Sequence, residues 1–288
     1  MAPKVILLVG NPKTGKTVSA CTFPKPLAFI DIDGDGIDAI YNAKDSLGNL
    51  VVPAAESAPG SIDRIELQSQ QVYTMQFQTV QKGKVSPAHA GEAPALLNKF
   101  DMALRNIKAG KNILNPAEPK QYKTVVIDPL TEFFRLWKDA CMFMNQQPSM
   151  QKQDYGTLET VLFRQFLPNM KALPVDYVIL INHTATEKDD LTGAIHEFPV
   201  GPSKNQGRLL PGAFTEVWLQ KEEMGKYLWR TRKEGLMEGV GSRYHLPNPV
   251  EARFSNVKSY LEQAKLHTTE AEATATATAT ATPTPQQA

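Results

Sequence analysis

Cysteine is scarce in this sequence of 288 residues. Only Cys21 and Cys141 occur, far apart and with no C-x-x-C or Cys/His spacing, which excludes a disulfide framework or a zinc site and suits a reducing compartment. Both read as core thiols. Long apolar runs are absent too, since no stretch approaches the ~20 apolar residues of a membrane span, and no charged leader followed by a long apolar segment opens the chain. A cytoplasmic protein without membrane contact is therefore expected. Net charge is nearly absent: 31 Lys and Arg against 30 Asp and Glu leave a formal +1. No global basic field attracts nucleic acid, so any such contact must come from a local patch. What remains, 42% hydrophobic and 21% charged residues, suffices for one large domain or two small ones.

The most informative stretch lies near the start. Val5-Ile6-Leu7-Leu8-Val9 reads as a buried strand and runs into Gly10-Asn11-Pro12-Lys13-Thr14-Gly15-Lys16-Thr17, the pattern G-x-x-x-x-G-K-T. Gly10 and Gly15 accept backbone angles that a Cβ would penalise, so the loop amides, Val18 included, can turn inward around a polyphosphate. Lys16 would reach the β- and γ-phosphates. Thr17 would offer its hydroxyl to Mg²⁺ at the start of a helix.

Further along, strands alternate with helices. A first short helix through Val18 to Phe23 is stopped by Pro24 and Pro26, and Leu27 to Asp33 is a second buried strand ending in two carboxylates, before Gly34-Asp35-Gly36. Residues 37–60 mix a short helical piece with a connector from Pro53 to Gly60. Val72 to Val80 has strand composition, and Ala95 to Ala109 has helical spacing ending at Gly110. Thr124-Val125-Val126-Ile127-Asp128 is a β-branched strand ending in an acid, followed by a helix through Met144. Leu158 to Leu173 predicts a helix broken at Pro168, and Tyr177 to Ile181 a strand running into Asn182-His183-Thr184. Residues 185–212, polar and rich in Gly and Pro, read as a long loop. Phe214 to Leu219 and Lys226 to Arg232 read as two late strands turning at Gly225, an antiparallel addition at the sheet edge. The expectation is one α/β domain over residues 1–265, a mostly parallel sheet with helices on both faces, and a disordered Ala/Thr/Pro-rich tail over 266–288.

A phosphate loop on strand one, acids closing strands two and three and a polar pair closing strand four would converge at one sheet edge, as a nucleoside triphosphate hydrolase needs. Asp128 would hold Mg²⁺ directly or through water, although a strand-ending acid can also be merely solvated. Asp33 would polarise a water for in-line attack, with Asp31 and Asp35 as rivals. His183 or Asn182 would sense the γ-phosphate and pass that state to the following loop.

These residues resemble the RecA-like P-loop ATPases, and more closely the phage nucleotide-binding ATPases of the single-strand-annealing recombination type, over about residues 4–235. Leu27 to Asp33 resembles the strand F-I-D-x-E, whose last acid activates water. Thr124 to Asp128 resembles the Walker B strand, and Val178-Ile179-Leu180-Ile181-Asn182-His183 is similar to V-I-F-I-N-Q, whose last residue contacts the γ-phosphate. Asp33 stands where that pattern has Glu, and His183 where it has Gln. The resemblance implies a Mg²⁺-dependent ATPase, slow or DNA-stimulated, with Lys16, Asp33, Asp128 and His183 in the catalytic set. It also implies assembly as a homo-oligomer on single-stranded DNA beside phage recombination or replication proteins, in the host cytoplasm if phage-encoded. Lys188, Lys204 and Arg208 would line a DNA channel, though Glu187, Asp189, Asp190 and Glu197 nearly cancel them and only Phe198 offers a base-stacking ring. Arg230, Arg232 and Lys233 would reach a neighbouring subunit's nucleotide, or else guard an edge strand against aggregation. Two other classes stay open: a nucleotide-switched interaction module, and a P-loop small-molecule kinase, for which an Arg-bearing lid is wanting.

Overall fold

Alternation within the first strand sets the architecture. In β1 (Lys4–Val9), Val5, Leu7 and Val9 pack into one apolar cluster, while Ile6 and Leu8 pack into another. Successive side chains of a strand point to opposite faces, so a strand apolar at every position must be covered on both. In the computed structural model, which describes residues 2–34, 40, 43–44, 50–52, 60–67, 92–147, 149–233, 235–237 and 239–263, it is.

After β1 come α1 (Lys16–Ala20), β2 (Leu27–Asp31), β3 (Ile62–Glu66), α2 (Ala93–Lys108), β4 (Thr124–Asp128) and α3 (Leu130–Met144). Next, α4 (Lys152–Val161) passes through a π turn at Leu162–Phe166 into α5 (Leu167–Lys171), then β5 (Tyr177–Asn182), β6 (Thr184–Lys188), β7 (Ile195–Pro199) and α6 (Lys204–Leu209). The chain continues through β8 (Glu216–Glu223), β9 (Lys226–Arg230), β10 (Gly241–Ser242) and β11 (Val250–Glu251). The main sheet has the order β11-β9-β8-β1-β5-β4-β2-β3, with β10 on β8. One face packs on Phe100 of α2, Phe133 and Phe134 of α3, and Leu167 and Met170 of α5. The other packs on Val18 and Ala20 of α1 and on Phe254, Val257 and Leu261 near the end of the described chain. Sheet and helices form an α/β fold of the P-loop type.

Three expectations need correcting. The late pair is not wholly antiparallel: β8 runs parallel to β1, with Leu8 opposite Trp218, and only β9, β10 and β11 run antiparallel to their neighbours. Glu216 to Gln220 are all buried, and a strand covered on both faces joins the parallel body. The helix expected to break at Pro168 opens one turn earlier, in the π turn, because that proline near the start of α5 has no N–H and crowds the preceding carbonyls. Residues 185–212 are not structureless either. They form the β6–β7 hairpin, α6 and a 3-10 turn at Leu210–Ala213. Gly201 and Gly207 serve close packing there, since a Cβ on Gly207 would stand 2.4 Å from the Pro199 carbonyl oxygen. The expected strand at Val72 to Val80, most of the helical piece in 37–60, Asp35 and the 266–288 tail lie outside the described residues. Among the described residues no helix is long and apolar enough to cross a membrane.

Candidate functional site

Parallel pairing brings the carboxyl ends of β1, β5, β4 and β2 to one edge, where open α/β sheets place their ligands. Val9 lies opposite Asn182, and Asp31 opposite Asp128. The loop leaving Val9 folds back into α1 through two left-handed residues, Lys13 at φ 64° and Gly15 at φ 77°. Both glycines of the motif also meet a tertiary demand. A Cβ on Gly10 would stand 2.5 Å from the Gln220 carbonyl oxygen, and one on Gly15 would stand 3.0 Å from the Tyr227 ring. Lys16 is buried, and its Nζ donates to the carbonyls of Gly10 at 2.9 Å and Asn11 at 2.6 Å. Thr14 Oγ1 donates to the Asn11 carbonyl, so the loop is closed by its own groups.

Across the sheet, Thr17 Oγ1 donates to Asp128 Oδ2 at 2.5 Å. Burial pushes the Asp128 carboxyl up to about 7; the Thr17 bond pulls it down, Asp33 pushes it up, and Lys16 and Asp31 add smaller opposing effects. Burial likewise lowers Lys16 to about 8, against the pull of Asp128. Each charge is thus held where water serves it poorly, which marks a site built for an ionic ligand. Asp33 sits in the turn after β2, half-buried and close enough to act on Asp128. His183 is lowered to about 4 by burial, then by Lys16 and Arg135, so its ring is neutral at pH 7.

Two weighed alternatives fall away. Asn182 is fully buried, accepts from Thr131 Oγ1 at 2.7 Å and donates to the Val200 carbonyl at 2.8 Å, so its amide braces the start of the β6–β7 hairpin rather than reaching for phosphate. Asp31 is fully buried and taken by Arg64, whose Nε and terminal nitrogen lie 2.9 and 2.6 Å from Oδ2. Arg64 also donates to the Gly34 carbonyl, and the Gly34 N–H donates back to Asp31 Oδ1, so the turn carrying Asp33 is clamped at both ends. Replacing Arg64 by Leu strands a buried carboxylate. We expect Arg64→Leu to cost about 3 kcal/mol in urea unfolding and to slow any reaction that depends on Asp33.

The residues that sequence reasoning missed all act through tertiary contact. Besides Arg64 they are Gln220, Tyr227 and Thr184, whose hydroxyl donates to Asn11 Oδ1 at 2.8 Å and ties the β6–β7 hairpin to the loop. Thr184 directly follows the polar pair that closes β5, but nothing in sequence marks its bond to Asn11; Arg64, Gln220 and Tyr227 lie in no motif, and only the order of strands could have pointed to β8 and β9.

The outlying cations are not gathered at the loop. Lys204 and Arg208 both pair with Glu187, and the Arg208 guanidinium lies over Phe198, 5.4 Å from the ring centre. Lys188 is exposed beside a cleft of about 680 Å³ lined also by Glu187, Asp190, Glu197, Phe198 and Arg208. Two of the three cations expected to line a DNA channel thus share one carboxylate within the fold, which offsets one of their two charges. Arg230 makes a forked pair with Glu223 at 2.8 and 2.9 Å, whereas Arg232 and Lys233 are exposed.

Among the described residues no three His, Cys, Asp or Glu side chains cluster as a ready-made metal cage. The hard oxygens of Thr17 and Asp128 suit Mg²⁺ all the same, because that ion is commonly held by one or two protein oxygens together with phosphates and water. A family model described as an AAA domain matches residues 2–239, from before β1 to beyond β9. No curated protein matches the chain.

Proposed function

The chain belongs to the AAA-domain family of P-loop ATPases, and from that premise we propose that it binds ATP with Mg²⁺ and hydrolyses it in a RecA-like manner while acting on single-stranded DNA in phage-type recombination, annealing or replication. The observation that carries the nucleotide reading is the Thr17–Asp128 bond beside the buried Lys16. Residues 111 positions apart meet where a phosphate-bound cation would need both. Mg²⁺, when bound, neutralises phosphate charge as it develops. Lys16 leaves the Gly10 and Asn11 carbonyls for phosphate oxygens, and Thr17 and Asp128 supply oxygens to the ion. Asp33 takes the proton of the attacking water, a role one methylene shorter in reach than a glutamate's, which fits slow turnover. The neutral His183 donates a hydrogen bond to the γ-phosphate. Asn182 and Thr184, on either side of it, carry the change into the β6–β7 hairpin. The sheet order supports the RecA-like comparison, since β5 lies between the loop strand β1 and the acid strand β4. Arg232 and Lys233 remain exposed for a neighbouring subunit in a homo-oligomer.

A second reading, a nucleotide-switched interaction module, is favoured by one feature: Glu187 pairs with both Lys204 and Arg208 and so draws them away from a DNA phosphate. Turnover of ATP by the native chain, titrated with single-stranded and duplex DNA at 50 and 200 mM salt, separates the two. DNA action predicts stimulation by single strands that weakens steeply with salt, because phosphate contacts release counterions. ATP binding without any DNA effect would move the function to the interaction module. Absence of ATP binding would overturn both.

A further inference from the structure

Strand β8 buries two polar side chains, Glu216 and Gln220, and the second of them meets the phosphate loop. Gln220 is 1% exposed, and every polar atom of its amide is used. Its Nε2 donates to the Thr14 carbonyl at 2.7 Å. Its Oε1 accepts from Ser19 Oγ of α1 at 2.6 Å and from Trp229 Nε1 of β9 at 3.0 Å. Ser19 itself donates to the Lys16 carbonyl as well. The backbone of the same residue presses on the other end of the loop, its carbonyl oxygen lying 2.5 Å from where a Gly10 Cβ would be. One buried residue therefore touches the phosphate loop at Gly10 and at Thr14, the helix that follows it, and the neighbouring strand.

A loop that cradles phosphate works through amide groups held in place before the ligand arrives, and a fully satisfied buried amide is a stiff way to hold them. Among the described residues the side-chain bond that holds the Thr14 carbonyl is the one from Gln220, while the Thr14 hydroxyl bonds back within the loop and Gly15 lies against the Tyr227 ring. We propose that Gln220 is the positioning residue of the phosphate loop, holding it in the phosphate-ready shape through Thr14 and coupling it to Trp229 of β9. The proposal rests on the nucleotide-binding reading above and names a residue for it. It has a particular corollary. Because Gln220 touches the loop at Gly10 and Thr14, the parts that would hold phosphate, its loss should be felt equally by ligands with and without a nucleoside.

Calorimetric titration of ATP and of inorganic tripolyphosphate into the native chain, Gln220→Ala and Gln220→Glu tests this. Leu167→Ala, a core truncation in α5 on the sheet face opposite α1, controls for lost stability. Gln220→Ala should weaken both ligands by a similar factor of about 10, the scale of one or two lost buried hydrogen bonds. Gln220→Glu keeps an acceptor for Ser19 and Trp229 but loses the donor to Thr14, and should weaken both at least as much. Leu167→Ala should melt earlier and bind both normally. Tripolyphosphate alone should also change the tryptophan emission of the native chain, and Trp229→Phe should remove that change. Binding of both ligands within twofold of native by the Gln220 variants would overturn the positioning role. So would a loss confined to ATP, or an equal loss in Leu167→Ala. If the native chain binds neither ligand, the nucleotide reading itself falls and the proposal falls with it, a result distinguishable from the others because it needs no variant.

Discussion

Lys16→Ala should lower the affinity for ATP on the order of 100-fold and leave no measurable turnover, while the fold survives. The second half of that statement makes the first interpretable. Lys16 Nζ is buried and bonded to two loop carbonyls, and losing those bonds works against the fold. The pKa argues otherwise. Burial lowers Lys16 from 10.5 to about 8, so the folded chain disfavours the proton. That cost is present in full below pH 8 and vanishes above 10.5. At pH 7 it amounts to about 3 kcal/mol, and removing the ammonium relieves it. Two hydrogen bonds to the Gly10 and Asn11 carbonyls, about 1 kcal/mol each, are lost in exchange. Native and variant should then unfold within about 2 kcal/mol of one another at pH 7, with the variant losing ground as pH climbs from 8 to 10.5. Denaturant curves at pH 7 and 10 beside ATP titrations check both halves. A variant that binds ATP like the native chain would remove Lys16 from the site.

How much of this was legible depends on whether the cause was local. The loop from Gly10 to Thr17 could be read because its demands, two glycines and a lysine beside a threonine, are met within eight residues. The strands β2, β4 and β5 could be read because buried strands show as apolar runs; Asp128 and Asn182 mark where two of those runs stop, while the strand read as reaching Asp33 ends at Asp31. That gave the α/β class and a candidate constellation. It did not tell Asp31 from Asp33, because the difference is Arg64, a residue on a strand that pairs with β2 from 33 positions away. It did not see the β6–β7 hairpin. Gly201 and Gly207 look like loop residues, and they are small because α6 crosses the end of β7 at 2.4 Å from where a Cβ would be. It placed β8 and β9 together as an antiparallel edge, because the hairpin turn at Gly225 is a local signal while the parallel pairing of β8 with β1 is not. Gln220 was invisible for the same reason. In the run Glu216 to Gln220 it is one more buried position, and its role exists only once β8 lies beside the loop.

Asp128→Asn should abolish hydrolysis and yet stabilise the chain at neutral pH. Thr17 can still donate to the amide oxygen, so the contact between α1 and β4 is retained, but the anion that would meet a divalent cation is gone. Turnover should fall on the order of 100-fold or more. The stability effect follows from the raised pKa. Asp128 goes from 3.8 to about 7 through burial, with Asp33 adding to the rise, so the folded chain holds a proton that the unfolded chain gives up. Below pH 3.8 both states are protonated and nothing is lost. From there to about 7 the native chain loses stability as pH rises, and above 7 the full cost remains, about 4 kcal/mol at most. An asparagine does not titrate and escapes it. Urea unfolding at pH 5, 6 and 7.5 should therefore show the variant gaining on the native chain with each step. A native chain that gains instead would mean that Lys16 fully compensates the carboxylate, contrary to the burial of both. The gain, if found, identifies Asp128 as a group kept against the interest of the fold: a buried carboxylate short of countercharge makes the empty domain less stable and lets a cation recover that energy on binding. The lowered pKa of Lys16 carries the same meaning for an anion. Together they leave the carboxyl end of the sheet with one acid and one ammonium whose charged forms burial disfavours, and a phosphate-bound cation is a ligand class that answers both at once.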